Sequence, residues 1–194
     1  MLIVQIFNVP DNIFPVKTAQ SGTEILKMRH NWPLLWEKNI CIVGIITHLF
    51  RKNKAGKAVI AVAEDGRFAG FSYIETWGHK QFVANSGLIV AHAFRGEGLA
   101  KRIKRRIFQL SRELFPEAKI FSITTGAAVM KMNYELGFRP VPFSLLTDDP
   151  EFWKGCQGCR NFSILESNSY KMCLCTGLLY DPEEHIVIEN QNHI

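Results

Sequence analysis

The stretch of residues 88–100 constrains this chain most, because it predicts an apolar strand, a glycine-bearing turn and a helix start in direct succession. The first amides of a helix have no intrahelical acceptor and lie at the positive end of the helix dipole. Gly96 and Gly98 allow the backbone of the turn to approach a ligand without intervening Cβ atoms. The stretch therefore predicts a binding site for a phosphate group.

The residues after the turn predict an amphipathic helix that ends near Pro116. Its apolar residues recur at steps of three and four: Ala100, Ile103, Ile107, Leu110 and Leu114. Cations occupy the remaining positions: Lys101, Arg102, Lys104, Arg105, Arg106 and Arg112. Such a charge run is ordinarily a solvated face, but the helix dipole disfavours cations in the first turns. Their placement indicates a polyanionic ligand nearby.

Further elements predict a βαβ unit with a parallel pair of strands at its centre. Residues 118–125 are typical of a strand, and residues 127–136 of a helix closed by Gly137. The ligand of such a unit lies at the carboxyl end of the first strand. Before the unit, residues 57–63 and 67–76 predict an antiparallel hairpin with a turn at residues 64–66. This hairpin argues against a doubly wound dinucleotide-binding fold.

Length and composition indicate one soluble globular domain, since the chain has 194 residues, of which 47% are hydrophobic and 21% charged. Residues 1–7 predict a first strand rather than a signal peptide, so we expect a cytoplasmic protein with no membrane partner. Residues 23–38 predict a helix kinked at Pro33. Residues 161–166 and 170–180 predict two more strands joined by a turn, and the tail after Pro182 is polar.

At these residues the chain resembles the GNAT superfamily of acyl-CoA-dependent N-acyltransferases. The family motif Arg/Gln-x-x-Gly-x-Gly/Ala is met by Arg95, Gly98 and Ala100, between an apolar strand and a helix. A later family element ends in Leu-Gly-Phe, present here at residues 136–138, with Asn133 at the preceding Asn position. The resemblance covers residues 58–140 in order, so it implies a single acyltransferase domain over residues 1–182 and a separate tail at 183–194.

The resemblance implies an α+β fold, layered α/β/α, whose mixed and mostly antiparallel sheet splays open at a central parallel pair of strands, 82–91 and 118–125. Acetyl-CoA, or another short acyl-CoA, would lie in this opening as co-substrate. Its pyrophosphate would rest on the amides of residues 95–100, and its pantetheine arm would pair with the preceding strand. The implied cofactor-binding residues are Leu88, Ile89, Val90, Arg95, Gly96, Glu97, Gly98, Leu99, Ala100, Lys101 and Asn133. Lys101, Arg102 and Arg105 are candidates for the remaining phosphate and the ribose.

Acyl transfer from a thioester to an amine requires a base, an oxyanion donor and a leaving thiolate. The backbone N–H near Val90 is the candidate oxyanion donor. Many family members carry a Glu where Ala84 stands, so Glu75 on the neighbouring strand is the candidate base, ahead of two histidines, His79 and His92. Many members also place a Tyr acid where Asn133 stands. Tyr134 is the candidate acid, although one residue along a helix turns its side chain by about 100°.

The cysteines predict a second site. Cys156 and Cys159 are separated by thirteen residues from Cys173 and Cys175, which places four of the five cysteines within twenty positions. In a cytosolic protein such spacing favours a tetrahedral structural zinc ion over disulfides. If the predicted turn forms a hairpin, residues 156–175 would bring the four thiolates together on its strands. The alternative is a set of buried strand thiols, as expected for the isolated Cys41.

We therefore expect an N-acetyltransferase that moves an acetyl or other short acyl group from acyl-CoA directly to the amine of a small molecule. Residues 75–77 and 85–87, with the cysteine segment, loosely resemble GNAT enzymes associated with arginine biosynthesis, which makes glutamate a candidate acceptor. Two alternatives stay open: a nucleic-acid-binding zinc module, suggested by a pI near 9.0, and a non-catalytic ligand sensor of the same fold. We expect no nucleic-acid partner, and a homodimer stays open.

Overall fold

The computed structural model of the protein describes residues 2–5, 56–63 and 68–184. In these residues seven strands form one sheet in the order β1-β2-β3-β4-β5-β7-β6. The strands are β1 (Leu2–Gln5), β2 (Ala58–Ala63), β3 (Phe68–Trp77), β4 (Phe82–Val90), β5 (Lys119–Thr124), β6 (Arg139–Val141) and β7 (Thr176–Tyr180). The α-helices are α1 (Leu99–Leu114), α2 (Ala127–Tyr134), α3 (Pro150–Lys154) and α4 (Phe162–Ser167), with short 3-10 turns at His92–Phe94 and Phe143–Leu145.

The sheet is mixed, and its parallel pair is β4 with β5. The neighbours β1–β2, β2–β3, β5–β7 and β6–β7 are antiparallel. The parallel ladder runs from the Phe82–Lys119 pair to the Ala84–Phe121 pair, although β4 continues to Val90. The predicted fold class, a mostly antiparallel α+β sheet whose central parallel pair is joined at only one end, is confirmed.

The described chain forms two compact units, and the boundary between them crosses β3, β4 and α1. The first unit comprises Met1–Tyr73 and Gly87–Ile107. Within it, α1 buries Leu99, Ile103 and Ile107, which recur every four residues as its apolar face requires. Gly70 on β3 permits close packing, because a Cβ there would lie 2.6 Å from the Ile89 carbonyl oxygen and 2.8 Å from a methyl carbon of Ile103.

The second unit comprises Ile74–Ser86 and Phe108–Ile194 and has an aromatic core. Phe121 packs edge-on against Phe152 at a centroid distance of 4.9 Å, and Phe152 packs in the same way against Trp153 at 4.9 Å. The indole N–H of Trp153 donates to the Thr147 carbonyl at 2.9 Å, so its one polar atom is satisfied inside the core. This core lies beside the carboxyl-terminal cysteines.

The structure corrects the sequence prediction between Gly137 and Tyr180. Residues 161–166, predicted as a strand, lie largely in α4, and the strand predicted over residues 170–180 is limited to β7. A short apolar run does not distinguish the repeat of a helix from that of a strand. Here Phe162 and Leu165 are three residues apart, as on one face of a helix, and Leu165 is buried. The three-residue β6 and the five-residue α3 were not predicted; Asp149 caps α3 by accepting a hydrogen bond from the Glu151 amide at 3.0 Å.

Other expectations are confirmed or lie outside the described residues. The first strand, the strands of the 57–76 hairpin and the helices after Leu99 and Gly126 are confirmed. The helix predicted over residues 23–38, the hairpin turn at residues 64–66 and the tail beyond residue 184 lie outside the described part of the chain. In that part, none of the helices has the length and apolar character needed to cross a bilayer.

Candidate functional site: an anion-binding turn, two polar clusters and four cysteines

The turn between β4 and α1 has the conformation that its glycines predict. After the 3-10 turn at His92–Phe94, Gly96 and Gly98 adopt φ values of 84° and 74°, in the left-handed region that favours glycine. The Arg102 amide donates to the Gly98 carbonyl at 3.2 Å, which closes the first turn of α1. The amides that precede Arg102 in the helix have no intrahelical acceptor, so the turn ends in a set of donors oriented along the helix axis.

Packing does not explain the two glycines of this turn. A Cβ built on Gly96 or on Gly98 would meet no atom of the described structure within 4 Å. Glycine is needed at both positions for the positive φ, and the open space beside them is what an anionic ligand would require. This arrangement is the geometry expected from residues 88–100.

Arg95 connects the turn to the end of β4. Its side chain is exposed, and its Nε donates to the Val90 carbonyl oxygen at 3.1 Å. The following amide, that of Ala91, donates to the Ala69 carbonyl at 2.9 Å, which attaches the end of β4 to β3 within the first unit. Leu88, Ile89 and Val90 are half-buried, whereas Leu99 is only 1% exposed and can contact a ligand through its backbone alone.

The cations of α1 do not all lie on its solvated side, contrary to the sequence prediction. Lys104 is 2% exposed, and burial lowers the pKa of its amine to about 7. Arg102 and Arg105 are exposed, and Lys101 is half-buried. The first turn of α1 contains no acidic side chain, and the nearest acidic residue before it in the chain is Glu97. Lys104 is buried like its neighbour Ile103 on the apolar face of α1. Nothing in the sequence indicated this, because Lys104 stands among other cations.

A first polar cluster lies in the second unit, on β3 and β4. The Ser86 hydroxyl donates to Glu75 Oε2 at 2.9 Å, which orients the carboxylate of the candidate base. Next to Ser86, the Asn85 amide nitrogen donates to the Ser111 hydroxyl at 2.8 Å, while its Oδ1 is buried with no partner in the described structure. Ala84, where many family members carry a Glu, is buried. The sequence analysis used residues 85–87 only for the family resemblance and did not predict the contact between Ser86 and Glu75.

A second polar position is on α2. Asn133 is fully buried, and neither atom of its side-chain amide has a hydrogen-bond partner in the described residues. Tyr134 is 50% exposed, as expected if the two side chains point in different directions. A buried polar group without a partner costs free energy, so Asn133 is a candidate to receive a ligand. His79 and His92, the minor candidates for a base, are exposed.

The four cysteines line one small cavity of about 30 Å³ in the second unit. The prediction that they lie on the strands of a hairpin is wrong. Cys159 is in a turn, and Cys173 and Cys175 precede β7. Burial and the neighbouring thiols raise the pKa of Cys156, and burial with the neighbouring thiols raises that of Cys175 to about 11. All four are free thiols, and as placed no three Cys, His, Asp or Glu side chains of the described chain are spaced to hold a metal ion.

Comparison with known proteins agrees with this geometry. The family model of the acetyltransferase (GNAT) family matches residues 21–138. A search of curated protein sequences finds no match. Among solved structures, the fold is similar to N-acetylglutamate synthase from Neisseria gonorrhoeae, solved with coenzyme A and N-acetyl-glutamate: 13% identity, TM-score 0.53, 93% of this chain and 35% of that chain covered.

A second similar structure is yncA from Salmonella typhimurium, solved with its cofactor acetyl-CoA. Its identity is 14% and its TM-score 0.50, with 82% of this chain and 87% of that chain covered. The present chain thus spans about a third of the length of the synthase and most of the length of yncA. At sequence identities of 13% and 14%, the similarity to these two structures shows a shared fold and no more.

Proposed function

Because the chain belongs to the acetyltransferase (GNAT) family, whose model matches more than half of it, we propose that it transfers a short acyl group from acyl-CoA to the amine of a small molecule. The observation that carries the proposal is the turn at residues 95–100, with two glycines in the left-handed region and open space beside both. A pyrophosphate is the ligand that such a helix start accepts. Residues 1–182 would form the catalytic domain.

The roles of the cofactor-binding residues follow from this proposal. The amides of residues 95–100 would hold the pyrophosphate, and the cations of α1 at 101, 102 and 105 would hold the remaining phosphate. The pantetheine arm would extend along Leu88, Ile89 and Val90. Arg95 already donates to the Val90 carbonyl, so its guanidinium supports the strand end while its exposed remainder faces solvent. The carboxylate of Glu97 would repel phosphate, so only its backbone can serve.

In the proposed reaction, the amine nitrogen of the acceptor attacks the thioester carbonyl carbon, the C–S bond breaks, and CoA leaves as thiolate. The Val90 N–H would stabilise the oxyanion, and Glu75, oriented by Ser86, would accept the proton of the amine through water. Tyr134 is the candidate donor to the thiolate; because the thiol of CoA has a pKa near that of free cysteine, it can also leave unprotonated.

The proposed acceptor is an amino acid such as glutamate. Its support is the resemblance of residues 75–77 and 85–87 to enzymes associated with arginine biosynthesis, together with the synthase of similar fold that was solved with N-acetyl-glutamate.

We further propose a cytoplasmic location, a small molecule rather than nucleic acid as partner, and a homodimer as the assembly to test. The cofactor set would be acyl-CoA as co-substrate and a structural zinc ion.

Thermal denaturation of the full chain with acetyl-CoA, succinyl-CoA and free CoA tests the proposal. A ligand at about 100 times its Kd stabilises a protein by about 2.7 kcal/mol, so a clear rise in Tm is expected with at least one acyl-CoA. Release of free CoA thiol is then measured with a panel of amino acids, glutamate included. A Tm unmoved by every CoA species would contradict the proposal. Binding without CoA release for any amine would instead identify a ligand sensor.

Replacing Asn133 with Leu is expected to stabilise the free protein and to weaken acyl-CoA binding. The stabilisation, about 1–3 kcal/mol, follows because the buried side-chain amide has no hydrogen-bond partner to lose among the described residues, and its burial penalty disappears. The affinity falls if the amide hydrogen-bonds the CoA arm. Chemical denaturation and calorimetric titration of acetyl-CoA measure the two effects. Tyr134→Phe serves as the neighbouring control, with both quantities expected to stay near wild type. An unchanged affinity in Asn133→Leu would remove Asn133 from the cofactor site.

A further inference from the structure

The four cysteines come together although they belong to two separate segments. Cys156 and Cys159 follow α3, Cys173 and Cys175 precede β7, and all four line the same cavity of about 30 Å³. Three of them, Cys156, Cys173 and Cys175, also pack against the aromatic core that contains Trp153 and Leu165. These four cysteines are called the four-cysteine cluster. The convergence therefore belongs to the fold of the second unit.

The backbone around Asn161 connects the two cysteine pairs. The Asn161 amide donates to Cys159 Sγ at 3.5 Å, and the Cys173 thiol donates to the Asn161 carbonyl at 3.9 Å. The Cys159 amide donates to the Cys156 carbonyl at 2.9 Å, which closes the turn between the first two thiols. The Asn161 amide, which donates to a cysteine sulfur, is the kind of supporting contact that orients a metal ligand.

The chain between the two pairs is poorly stabilised by secondary structure. The helix α4 has six residues, too few to be stable by itself. It ends in a turn where Ser169 and Tyr170 both have positive φ, 51° and 63°, although neither is glycine. Such residues cost about 1–3 kcal/mol each and persist where the surroundings impose them. The turn directs the chain back towards the first cysteine pair. A cross-link between the two cysteine pairs would therefore offset the free-energy cost of the two positive φ values.

We propose that one structural zinc ion binds at this cluster, with four thiolate ligands: Cys156, Cys159, Cys173 and Cys175. Four thiols that converge at one point can all be deprotonated together only when a cation neutralises the thiolates, and tetrahedral coordination by four cysteines is typical of structural zinc. Because the thiols as placed are not spaced to hold an ion, binding requires them to move closer together. Each bound thiol releases its proton to solvent, and the ion then holds the turn after α3 to the residue that precedes β7.

Metal analysis of the full chain, purified without chelator, tests the proposal directly. We expect about one zinc ion per chain, as for a closed four-cysteine site. Cobalt exchanged into the protein is expected to give the intense visible bands of a tetrahedral thiolate site. Cys156→Ser and Cys173→Ser should each lose the metal, whereas Cys41→Ser, at the remaining cysteine of the chain, should retain it. The metal content of the wild type stays informative even if a variant fails to fold.

Hydrogen exchange shows whether the ion has the structural role. Removing it with a chelator under reducing conditions is expected to increase amide exchange in residues 155–180 and to leave the turn at 95–100 unchanged. The proposal is overturned if the protein contains no zinc and takes up no cobalt. It is equally overturned if the intact mass, without reductant, shows the cysteines paired as disulfides. Neither result would affect acyl-CoA binding, so the zinc proposal and the proposed function fail separately.

Discussion

Replacing Gly98 with Asp is expected to abolish acyl-CoA binding while the protein stays folded. Gly98 has a φ of 74°, and a Cβ there meets nothing within 4 Å, so the side chain itself fits. The new carboxylate would stand beside the helix start, where the pyrophosphate is proposed to lie. Two like charges about 4 Å apart repel by about 4 kcal/mol near a protein surface, which corresponds to a loss of affinity of roughly a thousandfold. Calorimetric titration with acetyl-CoA measures it.

Gly98→Ala is the matched control, since it imposes the same backbone conformation without a charge. A left-handed non-glycine residue costs about 1–2 kcal/mol, so Ala should weaken binding or stability only modestly. A loss in Ala as large as that in Asp would show that backbone strain, and not charge, is responsible. If the Asp variant binds acetyl-CoA like wild type, the phosphate does not lie at this turn.

Replacing Lys104 with Met is expected to stabilise the protein at neutral pH by a few kcal/mol. Lys104 is 2% exposed, and burial lowers the pKa of its amine from 10.5 to about 7. At a pH between these two pKa values, Lys104 binds a proton in the unfolded chain but not in the folded chain. The free energy of unfolding of the wild type therefore rises with pH in this window. Each pH unit in this window adds about 1.4 kcal/mol for one proton. Met is unbranched and only one heavy atom shorter than Lys, and it removes the titration.

Denaturant titrations at several pH values between 7 and 10 measure this effect. The free energy of unfolding of the wild type should rise over the window, and the rise should be largely absent in Lys104→Met. Lys131→Met, which removes an exposed lysine of α2, should leave the rise intact. Lys104→Arg should be less stable than wild type, because arginine keeps its charge when buried. A rise of the same size in Lys104→Met would show that other groups cause it.

Local sequence patterns were sufficient to predict the central part of the fold. The strand, turn and helix at residues 82–114 and the strand and helix that follow each have a clear period and a clear stop signal, so the prediction and the structure agree. The same holds for the positive φ of Gly137, which was predicted to close the second helix. After Gly137 the apolar runs are short, and tertiary packing decides between helix and strand. For this reason residues 161–166 were predicted wrongly.

The candidate site divides in the same way. The glycine turn and the helix start at residues 95–100 could be located from sequence, since a glycine conformation and a helix start are local properties. The hydrogen bond between Ser86 and Glu75 could not be predicted from sequence, nor could the lack of partners for the Asn133 side-chain amide in the described residues. Both depend on which side chains of distant segments come close to each other. Lys104 was misplaced because a lysine among five other cations on α1 carries no local sign that it will be buried.

The sequence by itself determined the family resemblance, the parallel strand pair and the glycine turn before α1, since each follows from local patterns and their order along residues 58–140. Only the tertiary structure decided that four thiols from two segments share one cavity without the hairpin first expected. It also decided that Lys104 is buried and that the side-chain amide of Asn133 has no hydrogen-bond partner among the described residues. Burial and long-range contact are properties of the packed chain, because they depend on the free energy of all the segments that meet at a point.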